Sequence, residues 1–258
     1  MIRFKSLGSG SSGNATVIQA RSAGTLTHLL VDCGLGIRQL DVRLGQAGML
    51  AEQIDAIFIT HEHADHIGCV HRLARRERIP VWMSHGTYTA LGEPDFDGLL
   101  RIACDTVAIE VGALQVRPFT VPHDAREPLQ LTCSDGATRL GILTDLGHAT
   151  SHVMDQLAGC ATLLLECNHD VQMLAASTYP PFLKRRVGGD YGHLANPAAA
   201  QIARAVQASG LKQVVAAHLS EQNNRPELAR QALAAALGCA EADIHVADAA
   251  AGSGWLSC

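Results

Sequence analysis

Apolar residues in the amino-terminal third of the chain come in short runs cut by glycine, serine and asparagine, a pattern of strands joined by short connections. Residues 3–7 alternate weakly, 15–19 follow a Gly/Ser-rich turn, and 29–31 end in Asp32-Cys33-Gly34, so three successive strands are expected. Residues 35–50 carry helical spacing, and 54–60 form a β-branched run. The stretch 67–78 reads as a helix stopped by Pro80, with a strand at 81–83 behind it. Strand-like runs return at 107–111, 114–121, 129–133 and 139–143. Strand and helix then alternate. A strand at 161–165 precedes a helix at 196–209, opened by Asn196 with Pro197 at its first position; a strand at 214–217, an Ala-rich helix at 226–237 and a strand at 244–246 follow. No linker, repeat or low-complexity tract interrupts the series. Its order predicts one α/β domain over residues 1–258, with two sheets between layers of helices.

Composition narrows the class. A chain of 258 residues that is 47% hydrophobic can bury a substantial core, and with aromatics at only 4% that core must come largely from Leu, Ile, Val and Ala. The eight cysteines include no Cys-x-x-Cys pair, so they read as small buried residues in a reducing compartment, not as a disulfide framework or paired zinc ligands. No apolar run approaches the roughly 18 residues needed to cross a bilayer, and the first residues lack the apolar core of a signal peptide. A soluble cytoplasmic protein without membrane contact is expected. The formal net charge of −5 gives no overall attraction to nucleic acid. Two basic runs stand against it, Arg72/Arg75/Arg76/Arg78 and Lys184-Arg185-Arg186, and both read as solvated helix faces.

Thr60-His61-Glu62-His63-Ala64-Asp65-His66 changes the picture. The pattern His-x-His-x-Asp-His puts four metal-capable side chains into six residues at the end of a strand. Two histidines at i and i+2 on extended backbone point to one side and can share an ion, while Asp65 and His66 can reach a second ion beside it. This run resembles the signature of the metallo-β-lactamase superfamily. That resemblance implies a four-layer αββα sandwich of two mixed sheets and a hydrolase holding two divalent ions: zinc, manganese or iron. It implies a first ion held by His61, His63, His123 and Asp145, and a second by Asp65, His66, Asp145 and His218. Asp32 then corresponds to the buried aspartate that supports the metal loop. Each of these residues follows an apolar run, where layered α/β folds place their sites.

Further elements, Ser9-Gly10-Ser11-Ser12-Gly13-Asn14, Leu165-Glu166-Cys167-Asn168-His169-Asp170, Gly192-His193-Leu194-Ala195-Asn196 and Ala217-His218-Leu219-Ser220-Glu221-Gln222-Asn223, are similar to those of the YycJ group, also called WalJ. Ala195 departs from that pattern, where serine is expected. Membership implies a 5′-to-3′ exonuclease on single-stranded DNA, linked to DNA repair. In that reading Asp65 binds metal and orients the nucleophile, and His193 serves the leaving oxygen. Ser11, Ser12, Asn14, Asn168 and Ser220 become substrate contacts. Gly8-Ser9-Gly10-Ser11-Ser12-Gly13 also satisfies Gly-x-Gly-x-x-Gly, but a strand follows it where a dinucleotide fingerprint requires a helix, which removes that reading. The loop remains open as a hairpin turn or a phosphate cradle. A small cyclic phosphodiester, a thioester or lactone substrate, and a metal-stabilised nucleic-acid-binding module also remain as alternatives. Oligomeric state is not encoded in any motif.

Overall fold

The computed structural model describes residues 1–22 and 24–258. Its first sheet begins with an antiparallel meander of β1 (Ile2–Gly8), β2 (Ala15–Ser22) and β3 (Thr25–Val31). It continues in parallel through β4 (Ala56–Phe58), β5 (Val81–Met83) and β6 (Leu100–Ile102). The second sheet repeats the plan. β7 (Ile109–Val111), β8 (Leu114–Thr120), β9 (Leu129–Ser134) and β10 (Arg139–Leu143) are antiparallel, and β11 (Thr162–Glu166), β12 (Gln213–Ala217) and β13 (His245–Val246) extend them in parallel. A final short strand, β14 (Leu256–Ser257), returns to the edge of β1, so each sheet has seven strands.

Helices cover both outer faces. α1 (Ile37–Gln46), α2 (Ala64–Ile67), α3 (Val70–Glu77) and α4 (His85–Ala90) belong to the first half of the chain. α5 (Ser151–Leu157), α6 (Val171–Ala176), α7 (Pro181–Val187), α8 (Asn196–Gln207) and α9 (Pro226–Leu237) belong to the second. One apolar cluster, including Phe4, Ile18, Leu29, Phe58, Leu131 and Ile142, fills the space between the sheets. A second joins the outer face of the second sheet to α5, α8 and α9, and a third joins the first sheet to α1 and α3. These three clusters make the four αββα layers. The residues of β4 and β11 are buried throughout, which is why their sequences read as continuous apolar runs rather than alternation.

Several boundaries differ from the sequence expectation. The helix expected at 67–78 is two helices, because Gly68 (φ +27°) breaks it: a Cβ there would meet Cys33 O at 2.4 Å. α1 is shorter than 35–50, and a separate 3-10 turn follows at Ala51–Gln53. Asn196 does not cap α8; Ala195 holds that position, and the Asn196 amide donates to Asn224 Oδ1 at 2.9 Å instead. Three short helices went unforeseen although each has a capping side chain: Ser84 for α4, Thr150 for α5 and Asp170 for α6. None is long enough to show a helical period. No described helix is long and apolar enough to cross a membrane. Cys33, Cys69, Cys133, Cys160 and Cys167 are buried thiols, as read from the sequence, whereas Cys104 and Cys239 are exposed.

Candidate metal centre

Both sheets deliver side chains at the carboxyl ends of their strands, the end where open α/β sheets place their sites. His61 and His63 follow β4, and α2 carries Asp65 and His66. From the second sheet come His123 after β8, Asp145 after β10, Glu166 at the end of β11 and His218 after β12. Donor atoms of His61, His63 and His123 lie within 4.8 Å of one another, as do those of His61, His66 and Asp145, and those of Asp65, His66 and His218. The residues named from the sequence as metal ligands therefore converge on one place.

Each histidine is oriented through its outer nitrogen. Nδ1 of His66 donates to Asp32 Oδ2 at 2.8 Å, Nδ1 of His123 to Gly192 O at 3.0 Å and Nδ1 of His218 to Glu166 Oε1 at 3.1 Å. Nε2 of His63 donates to Asp124 O at 3.2 Å. Thr60 Oγ1 donates to Asp32 and so accepts from His61 Nδ1 at 3.0 Å. Because carbonyls, carboxylates and a committed hydroxyl only accept, these bonds commit a proton to each outer nitrogen and turn the five other ring nitrogens inward. His63 Nδ1 then lies 3.0 Å from His61 Nε2 and 3.3 Å from His123 Nε2, lone pair against lone pair. Asp145 Oδ2 is buried without a hydrogen-bond partner, although His66 Nε2 is 3.0 Å away. Such an arrangement is unfavourable unless cations occupy it, and imidazole with carboxylate is a donor set for zinc, manganese or iron. The residues fit a pair of divalent ions.

The electrostatics agree. Burial pushes the His61 and His123 imidazoles down. Burial opposes charge on His66 and His218 too, but Asp145 and the other carboxylates raise both, His218 to about 9. Protons are drawn to the positions where cations would sit.

A cavity of about 370 Å³ opens onto the centre. His193 lines it with half-buried side chain, and its Nδ1 donates to Glu166 Oε1 at 2.8 Å, which leaves Nε2 as the free ring nitrogen. Ser11 also lines the cavity, while Ser12 is exposed and off its wall. Asn14 is buried, its amide donating to Asp65 Oδ2 at 3.2 Å and to Gly10 O at 3.2 Å. Asn168 donates to His218 O at 3.1 Å, and Ser220 Oγ accepts from Asn223 N at 3.2 Å. Asn168 and Ser220 are not on the cavity wall: the Asn168 side chain holds the His218 carbonyl, and the Ser220 hydroxyl holds the turn at Asn223. The structure adds two residues that sequence reasoning did not assign. Glu166, fully buried, orients both His193 and His218, and Ser9 Oγ accepts from His218 N at 2.8 Å. Glu166 had a signal, a carboxylate closing the apolar run Leu163-Leu164-Leu165; Ser9 had none beyond its Gly/Ser-rich loop.

Residues 27–219 match the model of the β-lactamase superfamily domain. Exodeoxyribonuclease YycJ of Bacillus anthracis is 33% identical over 96% of this chain and 96% of its own length. Exodeoxyribonuclease WalJ of Streptococcus pneumoniae serotype 2 is 30% identical over 95% of this chain and 90% of its own. Among solved structures, the metallo-β-lactamase fold protein YhfI from Bacillus subtilis superposes over the whole of both chains with a TM-score of 0.76 at 16% identity, which speaks for the fold alone. The chain thus belongs to the β-lactamase superfamily and, within it, to the family of YycJ and WalJ.

Proposed function

We propose that this protein is a metal-dependent exonuclease that removes nucleotides from single-stranded DNA in the 5′-to-3′ direction, as one domain acting in cytoplasmic DNA repair. What carries the reading is a donor cage fitted to two ions in a chain whose full-length relatives are named exodeoxyribonucleases. His61, His63, His123 and Asp145 would hold one ion, and Asp65, His66, Asp145 and His218 the other, with zinc or manganese suited to both sets. When bound, the ions supply Lewis acidity toward the phosphoryl oxygens and lower the pKa of a nearby water.

The chain's own residues do the rest. Asp65 lines the cavity and accepts a hydrogen bond from the attacking hydroxide, left once the water has released one proton to solvent, turning its oxygen toward phosphorus. As that oxygen bonds to phosphorus, the bond to the 3′-oxygen of the departing nucleotide breaks. His193, with Nδ1–H held by Glu166 and doubly protonated at the start of the step, gives its Nε2 proton to that oxygen and is left neutral. Ser11, which lines the cavity wall, would donate to a phosphate oxygen.

The test is cleavage of end-labelled single-stranded DNA with Mn²⁺ or Zn²⁺, comparing 5′-phosphate with 5′-hydroxyl ends. Stepwise release of mononucleotides from the 5′ end, absent in His63→Ala, is the expected result. Hydrolysis of bis-p-nitrophenyl phosphate without any cleavage of DNA would overturn the nuclease reading and leave a phosphodiesterase of small substrates.

A further inference from the structure

Helix α7 buries none of its side chains, yet it forms a wall of the catalytic cavity through Leu183, Arg186 and Val187, with Tyr179 just before it. Aromatic residues make up only 4% of the chain. Among the described residues, the two aromatic side chains exposed to solvent, Phe182 (65%) and Tyr191 (63%), both fall in this segment. Exposed aromatic surface beside a cavity is an unused contact surface.

Charge gives that surface its character. In the other basic run three of the four arginines are paired, Arg75 and Arg78 with Asp97 and Arg76 with Asp41 and Glu77, and the fourth, Arg72, has no exposed aromatic ring in its helix. On α7, Arg185 makes no ion pair among the described residues. Lys184 Nζ donates to Ala175 O, and Arg186 is held at the cavity mouth by Asp124 at 2.5 Å. In a chain of net charge −5, this is a local cationic face beside exposed rings.

The helix is also fixed to the catalytic loop. His193 N donates to Val187 O at 2.8 Å. A Cβ on Gly192 would come within 2.1 Å of Arg186 O and 2.3 Å of Val187 O, so the loop passes against the end of α7 with no room for a side chain. Gly192 O is the acceptor that orients His123. A strand seated on α7 is thereby delivered to the metal centre.

We infer that α7 with Tyr179 and Tyr191 is the platform for the single strand, a proposal that rests on the nuclease reading. Bases stack on Phe182 and the two tyrosines, while Arg185 and Arg186 take the phosphates. The cavity admits the terminal nucleotide. Rings and guanidinium groups in this arrangement select a single strand, because the bases of a duplex are already stacked on one another.

The measurement is kcat/KM for a 5′-phosphorylated oligothymidylate divided by kcat/KM for bis-p-nitrophenyl phosphate, in the metal-loaded enzyme and in Phe182→Ala and Arg185→Gln. Both side chains are exposed, so neither substitution removes core contacts. The ratio should fall about tenfold in Phe182→Ala, the loss expected for one stacked base. In Arg185→Gln the dependence of log KM on log salt should become shallower by about 0.7, one phosphate contact on a single strand. An unchanged ratio and slope, with the wild type still cleaving the strand, would overturn the platform and leave the nuclease reading intact. A wild type that hydrolyses the ester and no oligonucleotide would overturn both.

Discussion

A buried carboxylate is tolerated only when its lone pairs are used, and Glu166 uses them with a clear division of labour. Oε2 accepts from the backbone N–H of Leu146 at 2.9 Å and of Leu194 at 3.2 Å, and Oε1 accepts from Nδ1 of His193 and of His218. One oxygen anchors the loops and the other sets two tautomers. An amide cannot do both. In Glu166→Gln, if the oxygen serves the two backbone groups, the NH₂ faces the imidazoles, which must then carry their protons on Nε2. His218 loses the lone pair that faces Asp65, and metal affinity should drop by about 10–100-fold, the usual cost of a lost orienting partner. His193→Ala should behave differently, keeping its metal while turnover falls on the order of 10²–10⁴-fold. Metal titration and kcat measured on both variants separate the two roles; a Glu166→Gln enzyme with undiminished metal affinity would show that the tautomers are set elsewhere. The contrast also marks what was legible at this scale. The proposed ligands His61, His63, Asp65 and His66 announce themselves by spacing, whereas the role of Glu166 depends on which way one side chain points from a strand buried on both faces.

Among the elements, α2 shows how little sequence is needed to place two ligands. It has four residues, two of them Asp65 and His66, and no side chain caps it. Its position comes from contacts made by two loops: Cys33 N, after β3, donates to His66 O at 2.7 Å, and Asn14 N, just before β2, donates to Asp65 O at 2.7 Å. Gly34 lies so close that a Cβ would sit 1.7 Å from Asp65 O. Gly34→Ala must therefore push α2 outward. It should cost at least about 2 kcal/mol of stability through strain, and it should disrupt the ion held by Asp65 and His66 before the one held by His61, His63 and His123. Chemical denaturation and metal stoichiometry by elemental analysis check this; two ions at full occupancy in Gly34→Ala would sink it. The long strands and α8 and α9 were readable because their apolar runs are bounded by Gly, Pro and polar residues. The short helices α4 to α6 were not, since six or seven residues make too few turns to show a period; α7 showed only as the basic helix face Lys184-Arg185-Arg186.

Across the whole molecule, the order of strands and helices was enough to predict two sheets between helical layers, but it could not say that the centre would be divided between them. His61, His63, Asp65 and His66 come from the first sheet; His123, Asp145 and His218 come from the second. Each proposed ion therefore has ligands from both sheets, and Asp145 serves both ions. Without cations the two halves oppose each other there, with His63 Nδ1 of the first sheet 3.3 Å from His123 Nε2 of the second and Asp145 Oδ2 unpartnered. Binding should then act as a clamp on the sandwich. An ion that binds only the folded chain stabilises it by about 2.7 kcal/mol at a concentration of a hundred times Kd. For a chain of this size that corresponds to a rise in Tm of about 5–10 °C. Calorimetric melting with Zn²⁺ or Mn²⁺ and with a chelator should show this shift in the wild type. Asp145→Ala, which removes the ligand common to both ions, should melt at the same temperature with and without chelator. If the wild type were equally indifferent, the donor cage would not be holding metal, and the hydrolytic reading would fall with it. If Asp145→Ala kept the full shift, His123 and His218 would suffice to tie the second sheet to the ions, and the bridging role of Asp145 would be the part to abandon.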